Sequence, residues 1–507
     1  NVKWTGNVVV EREIHVAGGT SLNVAGSDLG AVMEGGGSNR LFNIENAFLN
    51  VSNMTISNGN ATFGGAIACD GSSMSFYQTS FIDNVAVQGN GGALYVADSS
   101  TVSWSGLTNF AGNSASGGGG AACIGDSSSV SWRGITSFSN NTAHQGGALY
   151  LENNSTVSWE AETWFDGNTA VFTGGALNVY NESTVSWAAA TSFSRNSGQW
   201  GGGVHVENNS KISWEAETLF SGNQAPSDGG GAGLDVYDGS SASWTATTRF
   251  IDNSASKHGG AIQVNAASVS WKALTDFAGN SARETSFSNN SAVFGGALLS
   301  DGSRASWEAE TSFIGNSADV SGGALNIFKN SEVSWVGKTS FSNNSAVSRG
   351  GGAVYALNRS VVSWEAETKF AGNSANTAGG AVLIEYGSSI SWGASTFFCN
   401  NTAGASGGAV SLSSSNENSE SIMSSIVISG STAFDENRCR AGGGAMALIG
   451  VISTRFSATT ITFTQNSADF AGGAVFVAGV ETGPQFIGVT FTSNSAGTGG
   501  AVSVTGS

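Results

Sequence analysis

The chain has 507 residues, a formal net charge of −18, 73 glycines against 2 prolines and only 11% charged residues. So acidic a balance excludes long-range attraction to nucleic acid or to anionic membranes; it favours solubility and leaves room for weak divalent-cation attraction. Low charge combined with 14 Trp and 28 Phe implies a buried core, and no apolar run is long enough to form a membrane-spanning helix.

Residues 1–63 contain short strand-like runs, Val8-Val9-Val10, Ile14-His15-Val16, Leu22-Asn23-Val24 and Leu49-Asn50-Val51. They read as shorter starting rungs or a cap over the first open edge. Asn1 is not preceded by Met or a signal segment, which suggests a mature or trimmed product. From residue 64 a box of Gly-Gly-Ala-aliphatic recurs, as in Gly64-Gly65-Ala66-Ile67, Gly146-Gly147-Ala148-Leu149, Gly322-Gly323-Ala324-Leu325 and Gly499-Gly500-Ala501-Val502. Sixteen boxes, counting variants such as Gly202-Gly203-Val204, follow one another at a usual step of 27 to 29 residues. Self-similarity at this period means one supersecondary unit stacked on copies of itself. The regular stretch is 64–406, and 407–507 continues the same coil less regularly.

A typical unit, Gly146 to Ala170, holds three strand-like runs: 148–151, 156–162 and 163–165. Asn153-Asn154-Ser155 makes a turn between the first two, because Asn tolerates left-handed backbone. In the second run Val157, Trp159 and Ala161 share one face and Ser158, Glu160 and Glu162 the other. The apolar face points inward, since the reverse would bury two carboxylates per turn. Three strands joined by turns, with no helix, give an all-β parallel β-helix of about 28 residues per rung, rising about 4.8 Å per rung.

Equivalent residues then stack in columns. Trp104, Trp132, Trp159, Trp187, Trp214, Trp244, Trp271, Trp307, Trp335, Trp364 and Trp392 form one, which strand parity turns into the core instead of outward as a sugar-stacking platform. Phe81, Phe110, Phe138 and their successors to Phe491 form a second, and the Asn three residues after each should form an amide ladder. On the outer face the pairs Glu160/Glu162, Glu215/Glu217, Glu308/Glu310 and Glu365/Glu367 never fall on adjacent rungs. Arg133 aligns with Glu160, Lys272 with Glu308, and Lys338 lies between Glu310 and Glu367, a pattern that limits repulsion and does not suggest a catalytic carboxylate pair.

Two steps lengthen to 36 residues. The first contains Phe277-Ala278-Gly279-Asn280 and then Phe287-Ser288-Asn289-Asn290, a duplicated turn expected to leave the rung as a loop. The second contains the Ser/Asn/Glu stretch from Ser413 to Ser425. The Trp column ends at Trp392, and Ala501 to Ser507 stops inside a rung, which invites pairing with further chain.

Sequons stand at Asn50, Asn53, Asn60, Asn140, Asn153, Asn154, Asn181, Asn208, Asn289, Asn343, Asn358 and Asn400, several at equivalent repeat positions. Such rows suggest N-linked glycans on a secreted chain, although an Asn/Ser-rich repeat also generates the triplet by composition. Cys399 and Cys439 lie in neighbouring repeats at offsets one and five after the repeat Phe, which leaves a disulfide and buried free thiols both open; Cys69 and Cys123 lie two repeats apart and should not pair. Calcium is weakly indicated, since Gly230-Gly231-Ala232-Gly233-Leu234-Asp235 fits a calcium-roll pattern once, without tandem copies.

The alternation of GGA(I/L/V) boxes with Phe-x-x-Asn boxes over about 54–507 resembles the repeat of chlamydial polymorphic outer-membrane proteins and of similar surface proteins in algae and other protists. The resemblance implies a right-handed, single-stranded β-helix with a surface, adhesive or structural role, and assigns no catalytic residues. An autotransporter would add a C-terminal barrel, of which no segment is present in this sequence.

The expected function is an extracellular structural rod that self-associates into a surface filament or flagellar hair of mastigoneme type. The alternative is a cell-surface adhesin for glycans or partner proteins, with the two long rungs as candidate binding loops. A polysaccharide lyase or hydrolase would need clustered carboxylates with a basic partner in one groove. His15, His144, His205 and His258 are dispersed, so no enzyme, no cofactor and no resident metal are expected. Thr before Phe, as at Thr163 and Thr191, does not make the repeated Thr-x-Thr face that ice binding would use.

Overall fold

A computed structural model describes every residue except 1, 5, 28–29, 227–228, 273–274, 279–280, 283–294, 309, 415–423, 451, 457–459, 480–483, 485 and 507. The chain divides into two compact units, Asn1–Arg249 and Phe250–Ser507. Among the described residues all regular structure is β, and each unit is a coil of parallel strands.

The unit from Gly146 shows how the sequence makes a rung. Gly146 opens it at φ +56°, where a Cβ would strike the Leu149 carbonyl oxygen. A Cβ on Gly147 would fall 2.1 Å from the carbonyl oxygen of Gly175 in the next box, so the boxes can stack only as glycine. The box strand Leu149–Leu151 follows, then a turn in which Asn153 and Asn154 both take the left-handed region. Next come the Trp strand Thr156–Trp159 and the Phe strand Thr163–Asp166.

The observed rung differs from the sequence reading in two places. The run 156–162 is not one strand: pairing stops at Trp159 and the chain bends over Glu160 and Ala161. Thr163 Oγ1 donates to the Ala161 carbonyl across that bend at 3.2 Å. The bend lets Trp159 and Phe165 face the same core, edge to face at 6.2 Å and 78°. A further short strand, Thr169–Thr173, closes the rung and buries Ala170 beneath it.

In the unit Asn1–Arg249 each strand repeats its register one rung on. Leu149 pairs with Leu177, Trp159 with Trp187 and Phe165 with Phe193. Rings at equivalent positions are therefore held at the inter-strand spacing, and consecutive indoles from Trp104 to Trp244 stack at 4.6–5.2 Å. Phe76 heads this column, 4.8 Å from Trp104. The first rungs are shorter, as Val2 pairs with Val24, 22 positions on.

In the unit Phe250–Ser507 the indoles from Trp271 to Trp392 stack at 4.6–5.8 Å, and the phenyl rings from Phe313 to Phe491 at 4.7–5.1 Å. Both 36-residue steps keep register, Trp271 with Trp307 and Trp392 with Ile428. Phe277, the first of the duplicated pair, takes the strand position opposite Phe313; Phe287 and Asn289 lie outside the described residues. In the second step Val410–Ser413 ends one strand and Ser424–Ile428 begins the next. Buried Ile428 takes over the indole position, which is how the core continues after Trp392.

The asparagine three places after the column Phe is fully buried from Asn84 to Asn253 and from Asn316 to Asn466, and Asn168 is bonded on all sides. Asn168 Nδ2 donates to Asn196 Oδ1 at 3.0 Å and to the Phe138 carbonyl at 2.9 Å, and its Oδ1 accepts from the backbone N–H and side-chain amide of Asn141. Indoles are treated differently. Trp132, Trp159 and Trp187 bury Nε1 without a hydrogen-bond partner. An indole that buries roughly 200 Å² gains about 5 kcal/mol at about 25 cal/mol per Å², which exceeds the about 1–3 kcal/mol cost of an unmatched N–H.

Candidate functional site

The box strand is buried on both faces. Leu149 and Leu151 face the aromatic core, whereas Tyr150 between them faces the chain that precedes the box of the previous rung. That cover is close, since a Cβ on Gly118 would lie 2.3 Å from the Tyr150 ring. Register makes this middle position a column of its own, Ala68, Tyr95, Cys123, Tyr150, Asn178, His205 and Asp235. Unlike the Trp and Phe columns it changes residue type at every rung and is largely polar. It is a second buried layer, free of the repeat's constraint.

Two rungs of this layer bring three ionisable groups together. His205 Nδ1 lies 2.9 Å from Asp235 Oδ2, and His205 Nε2 lies 3.1 Å from Glu207 Oε2. His205 and Asp235 are 4% and 0% exposed, and Glu207 is half-buried. An imidazole between two carboxylates satisfies both only when each nitrogen carries a proton, so the arrangement is an imidazolium with one net negative charge left over. Burial alone would lower the His205 pKa, but the hydrogen bonds to Asp235 and Glu207 outweigh it and push it up to about 9. The bond to His205 holds Glu207 below the usual carboxylate range. Burial pushes the Asp235 carboxyl up, and His205 opposes that shift. Asp235 Oδ1 is buried with no hydrogen-bond partner.

The cluster opens onto a cleft of about 160 Å³, whose remaining wall is Thr173 and the rings of Phe172, Trp200 and Tyr237. Phe172 and Tyr237 are partly exposed at the mouth. Thr173 and Trp200 occupy equivalent positions just before their boxes, which is how consecutive rungs supply adjacent wall residues. His144 lies against Phe172, ring centres 6.1 Å apart.

Elsewhere the second layer is polar as well, with Asn178 Oδ1 and Gln263 Oε1 also buried without a hydrogen-bond partner. In the first unit Cys123 Sγ contacts Glu152 Oε1 at 3.8 Å, and burial raises the pKa of both. In the second unit Glu385 accepts from Tyr355 at 2.6 Å and from Ser413 at 3.0 Å, and Arg349 donates to Tyr355 at 3.2 Å.

Residues singled out by sequence fall elsewhere. The Trp column lies in the core and offers no ring to solvent. The Glu160 and Glu367 side chains are exposed and meet Arg133 at 3.2 Å and Lys338 at 3.9 Å, contacts worth little at a surface. The bridge left open between Cys399 and Cys439 does not form, and all four cysteines are free thiols. Cys399 ends a Phe strand beside Asp435, whereas Cys439 points inward in a stack with Ala403 and Ala468. Asp235, the end of the single calcium-roll match, faces His205 instead; among the described residues no group of three His, Cys, Asp or Glu side chains is placed to hold a metal ion.

The described sequons fall into three sets. Asn153, Asn154, Asn181, Asn208 and Asn358 sit with positive φ in the turn before the Trp strand. Asn140, Asn343 and Asn400 are exposed, also at positive φ, immediately before a buried ladder asparagine. Asn50, Asn53 and Asn60 belong to the first rungs, where Asn50 Nδ2 donates to Asn23 at 2.6 Å and Asn60 Nδ2 to the Gly37 carbonyl at 3.0 Å.

Fold and columns define a β-solenoid built from one repeated rung. Four of its segments, residues 135–152, 247–265, 284–301 and 338–357, match the Chlamydia polymorphic membrane protein (Chlamydia_PMP) repeat. Each segment runs from a Phe box through the following Gly-Gly-Ala box. The chain thus carries polymorphic membrane protein repeats, the type found in a family of surface-exposed outer-membrane proteins. No curated protein and no solved structure matches it.

Proposed function

We propose that the chain is an extracellular structural protein of the cell surface, a glycosylated β-solenoid that self-associates into a filament or flagellar hair. The observation that supports this most is the uniformity of the Trp, Phe and Asn columns within each unit. Nearly every rung repeats the same core, while sequence variation is left to turns and to the second layer. Such a core suits a load-bearing element that presents its surface repeatedly. Asn140, Asn343 and Asn400, exposed ahead of the amide ladder, are the glycan sites that fit best. The reading is non-enzymatic and involves no cofactor.

Electron microscopy of the protein as isolated, without refolding, tests this reading. Regular filaments with an axial repeat commensurate with the solenoid are expected, and dispersed single particles would overturn self-assembly. A second reading, a cell-surface adhesin, is favoured by the aromatic and acidic cleft at His205. It predicts monodisperse particles that retain ligand binding.

A further inference from the structure

We propose that the cleft around His205, Asp235 and Glu207 binds a primary ammonium group carried on a short aliphatic stem, as in an alkylamine or a lysine side chain. The inference goes beyond the filament reading and is independent of it.

Charge is the first reason. The imidazolium neutralises one of its two carboxylates, so a net negative charge remains in a largely buried setting, where an uncompensated charge is costly. A cation corrects this, whereas a neutral hydroxyl does not. Hydrogen bonding is the second. Asp235 lines the cleft, is fully buried and leaves Oδ1 without a donor. A primary ammonium carries three donors and no acceptor, which suits Oδ1 together with the solvent side of Glu207. A quaternary ammonium has no N–H to give. Shape is the third. Phe172, Trp200 and Tyr237 complete the wall, so a methylene stem lies against rings that also attract the cationic head. A volume of about 160 Å³ fits a head group with a few methylenes and is below the size of sites for larger ligands. A metal ion fits poorly, because both His205 nitrogens already face carboxylates.

The test uses the full chain with 13C-labelled histidine, which gives only four ring signals, from His15, His144, His205 and His258. The His205 signal is assigned by its loss in His205→Gln or, should that variant not fold, by its response to Glu207→Gln. At constant ionic strength, n-butylammonium is expected to shift the His205 signal saturably, with 1-butanol, tetramethylammonium and methyl glucoside at least about tenfold weaker. Nα-acetyl-lysine amide should act like butylammonium, and the tighter of the two identifies a peptide or a free amine as the natural source. Glu207→Gln and Trp200→Ala should each weaken binding about tenfold while the other three histidine signals stay in place. No saturable shift, an equal response to 1-butanol or methyl glucoside, or unchanged affinity in Glu207→Gln would overturn the proposal.

Discussion

The side-chain amide of Asn141 donates to Asn168 Oδ1 at 3.0 Å, and the Asn141 backbone N–H donates to the same oxygen at 3.0 Å. One buried oxygen therefore serves two donors of the neighbouring rung. Asn168→Ala would leave the Asn141 backbone N–H and one N–H of the Asn141 side-chain amide without an acceptor, and would remove the side-chain donor to the Phe138 carbonyl; the Asn141 amide keeps its bond to the Phe110 carbonyl. Each unmatched buried donor costs about 1–3 kcal/mol, so with two of them a loss of about 2–6 kcal/mol is expected. Asn168→Asp should not rescue it, because a carboxylate has no donor for Asn196 Oδ1 or the Phe138 carbonyl. Denaturant midpoints of the two variants check this, with Asn154→Ala in the exposed turn as the mild control.

Trp159 is buried without a partner for Nε1, and Phe76 occupies the same column by stacking on Trp104. Trp159→Phe removes both apolar area and the unmatched N–H, so the two effects oppose. Trp159→Ala removes the area and leaves a cavity between stacked neighbours, at about 3–5 kcal/mol. The phenyl variant is therefore expected to cost less than half as much as the alanine variant. Equal costs, measured by chemical denaturation, would mean that the indole N–H contributes to stability despite having no partner.

His205 is protonated up to about pH 9 in the folded chain, against an ordinary 6.5. The folded state therefore binds a proton that the unfolded chain releases between those values. The associated stability is fully present below about pH 6.5 and is lost as pH rises through 9, by on the order of 3 kcal/mol. Asp235, whose carboxyl is pushed up by burial, also binds protons more tightly when folded and adds a loss in the same direction from lower pH. Glu207, held low by His205, acts oppositely, with stability lost as the solution becomes acidic. Thermal midpoints measured from pH 6 to 10 should fall in the parent chain and flatten in His205→Gln.

Periodicity made the solenoid legible, because the residues that recur are those whose side chains stack one rung apart. Trp159, Phe165 and Asn168 could be placed in columns without coordinates. The bend after Trp159 could not, since Glu160-Ala161-Glu162 continues the alternation of the strand before it. The short strand Thr169–Thr173 was missed because it is too brief to carry a period. The His205 cluster was hidden for a different reason. Its members come from two rungs, 30 positions apart, in the one column that does not repeat. A usable signal existed in the residue directly after each four-residue box, where Cys123, Tyr150, Asn178, His205 and Asp235 interrupt an otherwise apolar strand.

Cysteine chemistry provides a check on the rung geometry itself. Cys69, Cys123 and Cys439 are buried, and Cys399 is only partly so. Burial raises the pKa of Cys69 and of Cys439 to about 11, and raises that of Cys399 as well. The thiolate is the reactive form, so all four should react slowly in the native state, with Cys399 first because it alone is reachable. Native alkylation followed by peptide mapping should therefore modify Cys399 before the others, and titration in denaturant without reductant should find four thiols. Cys439 stacks between Ala403 and Ala468, so Cys439→Ala restores the small residue found on the adjacent rungs. That change should alter stability by less than about 1 kcal/mol, whereas a Cys399–Cys439 bridge would make the same variant markedly less stable, by about 2–5 kcal/mol.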